Sequence, residues 1–145
     1  MLRSGLALAG ANTARKGLPL PAAAGNGLLL ASDVLRLDLI GTELVVLSAC
    51  ETGLGDIRDS EGVYGLCRAF LLAGARTLVM SLWEVNDVAT STLMAEYYTH
   101  LKKLDRSEAL RTAKRRIRDN PATHHPFYWA AFLCIGDFRR LSPPR

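Results

Sequence analysis

The sequence predicts an α/β fold built on a parallel β-sheet. Three continuous apolar runs, at residues 44–49, 76–82 and 129–135, have the length of strands that are buried on both faces. Segments with helical spacing separate them in the order β-α-β-α-α-β, which implies a parallel sheet with right-handed crossovers. The 145 residues are 49% hydrophobic and 22% charged, so the chain can bury the core of one domain and is not disordered.

The N-terminal part is predicted to be mostly irregular. Glycines and prolines interrupt residues 5–31, and only residues 28–31 have the composition of a short strand. Ser32 or Asp33 is then expected to cap a short helix that ends at Leu37. Either side-chain oxygen can accept a hydrogen bond from the unpaired amides of the first helical turn.

Residues 61–73 form the next predicted helix, between the first and second long strands. Gly74 stands where a left-handed C-terminal cap belongs. The apolar side chains of this helix recur at helical spacing, at Val63, Leu66, Phe70 and Leu71.

Two further helices are predicted before the last strand. Asp87 is placed to cap the first of them, and Asp105 with Glu108 resembles a capping box before the second. Asn120 and Pro121 end the second helix. The apolar faces are Thr90, Leu93, Met94, Tyr97, Tyr98 and Leu101 in the first helix, and Leu110, Ala113 and Ile117 in the second.

Charge is distributed unevenly along the chain. Residues 33–101 carry four basic and ten acidic side chains, whereas residues 102–145 carry eleven basic and four acidic ones. A basic segment of this kind is a candidate surface for nucleic acid or another anionic partner. Its charges surround one amphipathic helix, and no run of Arg and Lys alternates with stacking aromatics. A solvated helix face is therefore the preferred interpretation, and no nucleic-acid partner is expected.

The cysteine count and the hydropathy pattern indicate a cytoplasmic protein. Three cysteines without CxxC spacing argue against a disulfide scaffold and against a cysteine-rich zinc site. Cys67 and Cys134 lie within a predicted helix and a predicted strand, so both are interpreted as packing residues. No run of about 18 uncharged apolar residues is present, so no membrane span is expected.

Chemistry is expected at the carboxyl ends of the parallel strands, where ligands bind in open α/β sheets. Cys50 lies just past the first long strand and is followed by Thr52, Gly53 and Gly55. A tight turn there can project the sulfur outward, and neighbouring backbone N–H groups can stabilise an oxyanion. Cys50 is therefore a candidate nucleophile, and the alternative is a small apolar residue that ends a strand.

Other ligands fit the same region less well. Residues 52–55 allow a phosphate-cradle interpretation, but they match neither the dinucleotide fingerprint nor the P-loop. The histidines His100, His124 and His125 lack further ligands at metal-binding spacing, so no metal and no cofactor are expected. Four nearby acids lack the spacing of a calcium loop and favour a solvated loop: Glu51, Asp56, Asp59 and Glu61.

Taken in order, the motifs resemble the CHAT domain. That family belongs to the caspase-like cysteine peptidases, is related to separase and is often attached to tetratricopeptide repeats. The resemblance rests on LVVLSACETGLG at residues 44–55, EGVYGL at 61–66, AFLLAGAR at 69–76 and SLW at 81–83, with Asp87 and Thr90. LRSGLALAGAN at residues 2–12 and YWAAF at 128–132 extend it over nearly the whole chain.

The resemblance implies a fold and a set of site residues. The fold is a caspase-like three-layer α-β-α sandwich with a mainly parallel sheet, and the site is a Cys–His dyad that cleaves a peptide bond through an acyl-enzyme. Cys50 matches the family nucleophile, and Glu51 and Thr52 match the turn that follows it. Asp87 matches a loop that shapes the pocket for the residue before the scissile bond, where an acid suits a basic side chain. The cap role remains the preferred alternative for Asp87.

The sequence departs from the family pattern at the catalytic base. The family histidine precedes the cysteine as a His-Gly pair, but this sequence has no histidine before Cys50, and none of its three is followed by glycine. We therefore expect a single partial domain, truncated on its N-terminal side. Residues 1–27 are its irregular inter-strand segment, 28–138 its α/β core and 139–145 its tail. Without a base, Cys50 would be mostly protonated at pH 7, because a free thiol has a pKa of about 8.5.

Two classes of function follow from these expectations. The first is the C-terminal portion of a CHAT-type cysteine endopeptidase, which acts on a protein or peptide only if upstream sequence supplies the histidine. The second is a non-catalytic interaction module or pseudo-protease remnant that binds tetratricopeptide repeats or another protein. A nucleotide-binding α/β domain is a third alternative and requires phosphate binding at residues 53–55. Uncovered strand edges and helix faces also predict self-association of the chain.

Overall fold

The structure is a computed structural model that describes residues 4–21, 25–48, 61–83 and 85–142, with the backbone alone at 61–63. These residues fall into two compact units. The first unit is drawn from residues 1–40 and 51–74, and the second from residues 41–50 and 75–145. The described residues contain helices and two small sheets, which agrees with an α/β fold.

The first unit contains two elements in a region that was predicted to be irregular. Strand β1 (Gly5–Ala7) pairs antiparallel with β2 (Leu28–Leu30), and helix α1 (Ala11–Arg15) lies between them. The short strand predicted at residues 28–31 is thus confirmed, whereas the prediction for residues 5–15 is wrong. Elements of three to five residues are too short to show a periodic pattern, so the sequence alone did not reveal them.

Helix α2 (Ala31–Val34) begins one residue earlier than its predicted cap. Asp33 lies inside the helix, and its carboxylate accepts a hydrogen bond from the backbone N–H of Leu30 at 3.0 Å. A carboxylate can accept a hydrogen bond from an unpaired terminal amide either from the N-cap or from within the first turn, so α2 can begin one residue earlier than predicted. The buried side chains of Ala31 and Val34 anchor the helix in this unit.

Helix α3 (Glu61–Leu72) ends as predicted at a left-handed glycine. Gly74 has φ +112°, and a Cβ atom there would lie 2.7 Å from the backbone nitrogen of Ile40. Only glycine tolerates both the backbone conformation and this close approach. Four side chains of α3 are buried in the first unit: Leu66, Cys67, Ala69 and Phe70.

The second unit is built on a mixed three-stranded sheet of order β3-β4-β5. Strand β3 (Val45–Leu47) runs parallel to β4 (Thr77–Ser81), as predicted. All five residues of β4 are buried, whereas those of β3 are only half-buried. The prediction of burial on both faces therefore holds for the central strand and not for β3.

The last strand, β5 (Phe132–Gly136), pairs antiparallel with β4, so the parallel alignment expected for it is wrong. The reason is that two helices, α4 (Asp87–Leu101) and α5 (Arg106–Arg118), separate β4 from β5. Helix α4 returns the chain to the edge of the sheet where β4 begins. There the Arg106 N–H donates to the carbonyl of Phe138, two residues after Gly136, which pairs with Thr77 of β4. The second helix carries it forward again, and the Leu82 N–H bonds the Ala131 carbonyl at 3.0 Å.

The predicted apolar faces of α4 and α5 form the core of the second unit together with the sheet. Tyr98 departs from this pattern, because it is half-exposed. Burial of each large apolar side chain stabilises the unit by about 1.5–3 kcal/mol. The core includes Val79 and Phe132 from the sheet, Leu93, Tyr97 and Leu101 from α4, and Leu110, Ala113 and Ile117 from α5.

The capping box predicted at the start of α5 does not form. Asp105 occupies the N-cap position, but its side chain makes no capping hydrogen bond. Glu108 instead binds the guanidinium of Arg111 through two contacts of 2.7 Å. A bidentate, charge-assisted pair is stronger than the hydrogen bond to a neutral amide that it replaces. None of the described helices is long and apolar enough to cross a membrane.

Candidate functional site

The carboxyl ends of β3 and β4 form the edge at which the sequence places the chemistry. Leu47 is in register with Met80, so Ser48 and Ser81 follow at the same edge of the parallel pair. Ser48 is exposed, and Cys50 comes two residues later in the sequence. Cys50, Glu51 and Thr52, three of the four predicted site residues, lie outside the described residues.

Asp87, the fourth predicted site residue, lies at the start of α4 and is exposed. The helix cap is the preceding residue, because the Asn86 side-chain oxygen accepts a hydrogen bond from the Ala89 N–H at 3.1 Å. The prediction that Asp87 caps this helix is therefore wrong by one position. Within the described part of the chain, the Asp87 carboxylate has neither a hydrogen bond nor an ion pair.

Several apolar side chains near the end of β4 and the start of α4 are exposed. The Trp83 indole N–H donates to the Phe127 carbonyl at 3.2 Å, which fixes a ring that is still 37% exposed. Leu82, Val88 and Phe127 are exposed as well. Val85, in contrast, is buried and anchors the loop between Trp83 and the helix. The sequence identifies Trp83 only as part of a motif, because the exposure of a single aromatic residue cannot be predicted from its identity.

Ser81, at the carboxyl end of β4, was not predicted as a site residue. Its side-chain oxygen is buried and has no hydrogen-bond partner among the described residues. Most buried hydroxyls are paired, so Ser81 is an exception among the described residues. The sequence signal was the polar residue that closes the apolar run of β4.

Cys67 and Cys134 occupy packing positions, as the sequence predicts. Cys67 is buried in α3, and Cys134 is half-buried in β5. Burial raises the pKa of both thiols, because a thiolate is poorly solvated there. A raised pKa keeps these sulfurs protonated at neutral pH, which is unsuitable for a nucleophile.

The three histidines make local contacts. His100 Nε2 lies 3.5 Å from the Glu96 carboxylate one turn earlier in α4. His124 Nδ1 is 2.8 Å from the Pro121 carbonyl, and His125 Nδ1 accepts from the Phe127 N–H at 3.2 Å. Among the described residues, no group of three or more His, Cys, Asp or Glu side chains is arranged to hold a metal ion.

Comparisons with known proteins give one consistent result. The sequence profile of the CHAT domain matches residues 1–137. Tetratricopeptide repeat protein 28 of Homo sapiens is 37% identical over 118 residues, which is 81% of this chain and 5% of that protein. The Mus musculus protein of the same name is 36% identical over the same length and the same shares. The chain therefore spans about one twentieth of the length of these relatives.

Proposed function

The chain belongs to the CHAT domain family, and on that premise we propose that it carries the nucleophile of a cysteine endopeptidase, Cys50. The observation that supports this role is the position of Ser48 at the shared carboxyl edge of β3 and β4, two residues before Cys50. Parallel α/β sheets bind ligands at this edge. The other cysteines are packed within α3 and β5, which leaves Cys50 as the candidate nucleophile.

The proposed reaction is hydrolysis of a peptide bond in a protein substrate. The Cys50 sulfur attacks the scissile carbonyl, and its proton passes through a general base to the departing amine. Water then breaks the resulting thioester and regenerates the thiol. Backbone N–H groups of residues 51–55 are the proposed donors to the oxyanion, with Glu51 and Thr52 forming the turn beside the substrate.

The proposed general base is a histidine outside these 145 residues. All three histidines of this sequence follow Cys50, and each already contacts a neighbouring group. General-base assistance is worth about 10²–10⁴-fold in rate. The 145-residue chain on its own is therefore expected to be nearly inactive.

Asp87 is the proposed determinant of substrate preference. Because Asn86 caps α4, the Asp87 carboxylate is left exposed and without a partner among the described residues. A free carboxylate near the carboxyl end of β4 suits a Lys or Arg side chain before the scissile bond. The exposed ring of Trp83 offers apolar contact to the neighbouring part of the substrate.

The test is peptide cleavage by the protein expressed from its natural gene with all upstream coding sequence. Cys50→Ala is expected to abolish cleavage, whereas Cys67→Ala and Cys134→Ala retain it. Fluorogenic peptides with Arg, Ala or Asp before the scissile bond measure the preference, and Arg is expected to be cleaved fastest. Retained cleavage in Cys50→Ala would overturn the assignment of the nucleophile.

A second candidate function is a non-catalytic protein-interaction module. The observation that favours it is that each of the three histidines makes a local contact, and all three follow Cys50 in the sequence. The matched relatives are named for tetratricopeptide repeats, so the proposed partner is a repeat segment of that kind. This function predicts that the natural protein, including its upstream sequence, cleaves none of the three peptides.

A further inference from the structure

A basic groove lies on the second unit, along α5. It has a volume of about 250 Å³ and is lined by Arg111, Lys114, Arg115, Arg118 and Trp129. The four cations form a stripe along one side of the helix, because Lys114, Arg115 and Arg118 follow Arg111 by three, four and seven residues. The stripe is about 10 Å long at 1.5 Å per residue. None of these residues belongs to the candidate site described above.

Two of the four cations are already paired, and two are not. Arg111 is held by Glu108 at 2.7 Å, and Arg118 by Asp119 at 2.8 Å. Lys114 and Arg115, at the centre of the stripe, have no ion pair within the described ranges. An anion that binds in the groove would therefore contact Lys114 and Arg115 at its centre.

Lys114 is less exposed than the other three cations of the stripe. Its side chain is half-buried, and burial lowers the pKa of the amine because the ammonium form loses water. A carboxylate bound beside it would restore favourable interactions for the charged form.

Trp129 forms an apolar wall of the same groove. Its indole N–H donates to the His124 carbonyl at 3.0 Å, which holds the ring in place. Since that polar group is already satisfied, the ring offers apolar contact rather than a hydrogen bond. The groove therefore combines two unpaired cations with a fixed aromatic surface.

We propose that this groove binds a short acidic and apolar peptide segment of a partner protein. Its carboxylates bind Lys114 and Arg115, and an apolar side chain packs against Trp129. Three extended residues span about 10 Å, which matches the length of the stripe. Nucleic acid fits less well, because its binding depends on many phosphate contacts and this groove offers two unpaired cations within the described residues. Glu108 and Asp119 also place negative charge beside Arg111 and Arg118 at the two ends of the stripe.

Fluorescence anisotropy on the 145-residue chain tests the proposal with a labelled hexapeptide of alternating Glu and Leu. The double variant Lys114→Gln, Arg115→Gln is expected to weaken binding by about tenfold or more. The matched control is Lys102→Gln, Lys103→Gln, which removes the same charge from exposed positions of the same unit. The control is expected to change the affinity by less than about twofold, since surface charges away from the groove contribute little.

Further measurements separate the alternatives. The single variant Arg115→Gln alters an exposed side chain and tests the groove even where the double variant fails to fold. The Trp129 indole resonance is expected to shift when the peptide binds. Equal weakening in the two double variants, equal binding of a Lys and Leu hexapeptide, or no binding at all would each overturn the proposal. Tighter binding of a 12-nucleotide strand through Lys114 and Arg115 would assign the groove to nucleic acid instead.

Discussion

Arg106 is a residue whose burial could not be predicted from the sequence. It belongs to the basic C-terminal segment, yet its side chain is 1% exposed. Its guanidinium donates to the Glu43 carboxylate and, at 3.2 Å, to the Asp137 carbonyl. Glu43 also binds Arg76 at 2.9 Å. One buried cation thus joins the segment before β3, the start of α5 and the end of β5.

Removal of the carboxylate from this network should destabilise the chain more than removal of the cation. Glu43→Gln leaves the buried Arg106 charge with the Asp137 carboxylate, at 3.7 Å, as its remaining anionic partner, and we expect a loss of about 3 kcal/mol in the free energy of unfolding. Arg106→Met removes the buried charge and leaves Glu43 paired with Arg76, so its cost should be smaller. Urea denaturation measures both variants. A larger loss in Arg106→Met would show that desolvation of the cation is not the dominant effect.

Asp137 should make the stability of the chain sensitive to acid. The Arg139 side chain and backbone hydrogen bonds hold the pKa of Asp137 well below its usual range, with a smaller effect of Arg106. A carboxylate with a lowered folded pKa stabilises the chain above its unfolded pKa of about 3.9 and loses this effect as the pH falls further. The melting temperature should therefore decrease as the pH is lowered below about 4.

The Asp137→Asn variant should show a shallower fall of melting temperature below pH 4 than the wild type. Asp105→Asn is the control, because that exposed carboxylate has a single contact of 3.9 Å to Arg140. Identical pH profiles for Asp137→Asn and the wild type would contradict the role assigned to Asp137.

At the scale of elements, helices α4 and α5 decide the direction of β5. Among the described residues, α3 lies between the parallel strands β3 and β4, whereas α4 and α5 lie between the antiparallel strands β4 and β5. Helices α4 and α5 are joined by only four residues and pack against each other through the apolar faces predicted from the sequence. The direction of β5 therefore follows from the pairing of these helices.

The start of α4 offers a test that separates stability from function. Asn86→Ala removes the capping hydrogen bond to Ala89 and is expected to lower the free energy of unfolding by about 1 kcal/mol. Asp87→Asn keeps the cap, so its effect on stability should be smaller. In the natural protein with its upstream sequence, Asp87→Asn should instead reduce cleavage of the Arg peptide relative to the Ala peptide. Unchanged preference in Asp87→Asn would contradict the proposed pocket role.

At the scale of the whole molecule, the exposed apolar side chains predict association with another surface. In the first unit, Ile40 is 85% exposed, Leu72 65% and Tyr64 63%. Clusters of large exposed apolar residues commonly mark interaction sites. Strands β3 and β5 are also the outer strands of the described sheet, so they present unpaired edges.

The 145-residue chain should therefore self-associate in a concentration-dependent way. Light scattering coupled to size exclusion should give a mass above that of a monomer at about 100 µM, because burial of the exposed side chains is favourable. Ile40→Asp with Leu72→Asp should shift the equilibrium toward monomer, whereas Val88→Ser, an exposed apolar site on the second unit, should not. A monomer at every concentration would contradict the prediction.

The sequence by itself determined the features that depend on neighbouring residues. The buried strand β4, the apolar stripes of α4 and α5 and the cap at Gly74 were all predicted, because periodicity and local backbone demands are visible in a short window. The family was predicted as well, from motifs in a fixed order. Cys50 was predicted in the same way, and its role stays a prediction.

Only the tertiary structure decided the features that depend on distant residues. The antiparallel direction of β5 follows from how α4 and α5 pack, and the burial of Arg106 follows from Glu43, which lies 63 positions away. The choice of Asn86 over Asp87 as the cap depended on a one-residue shift in where α4 begins. Each of these three features depends on contacts or backbone positions that packing sets, and they cannot be predicted from composition alone.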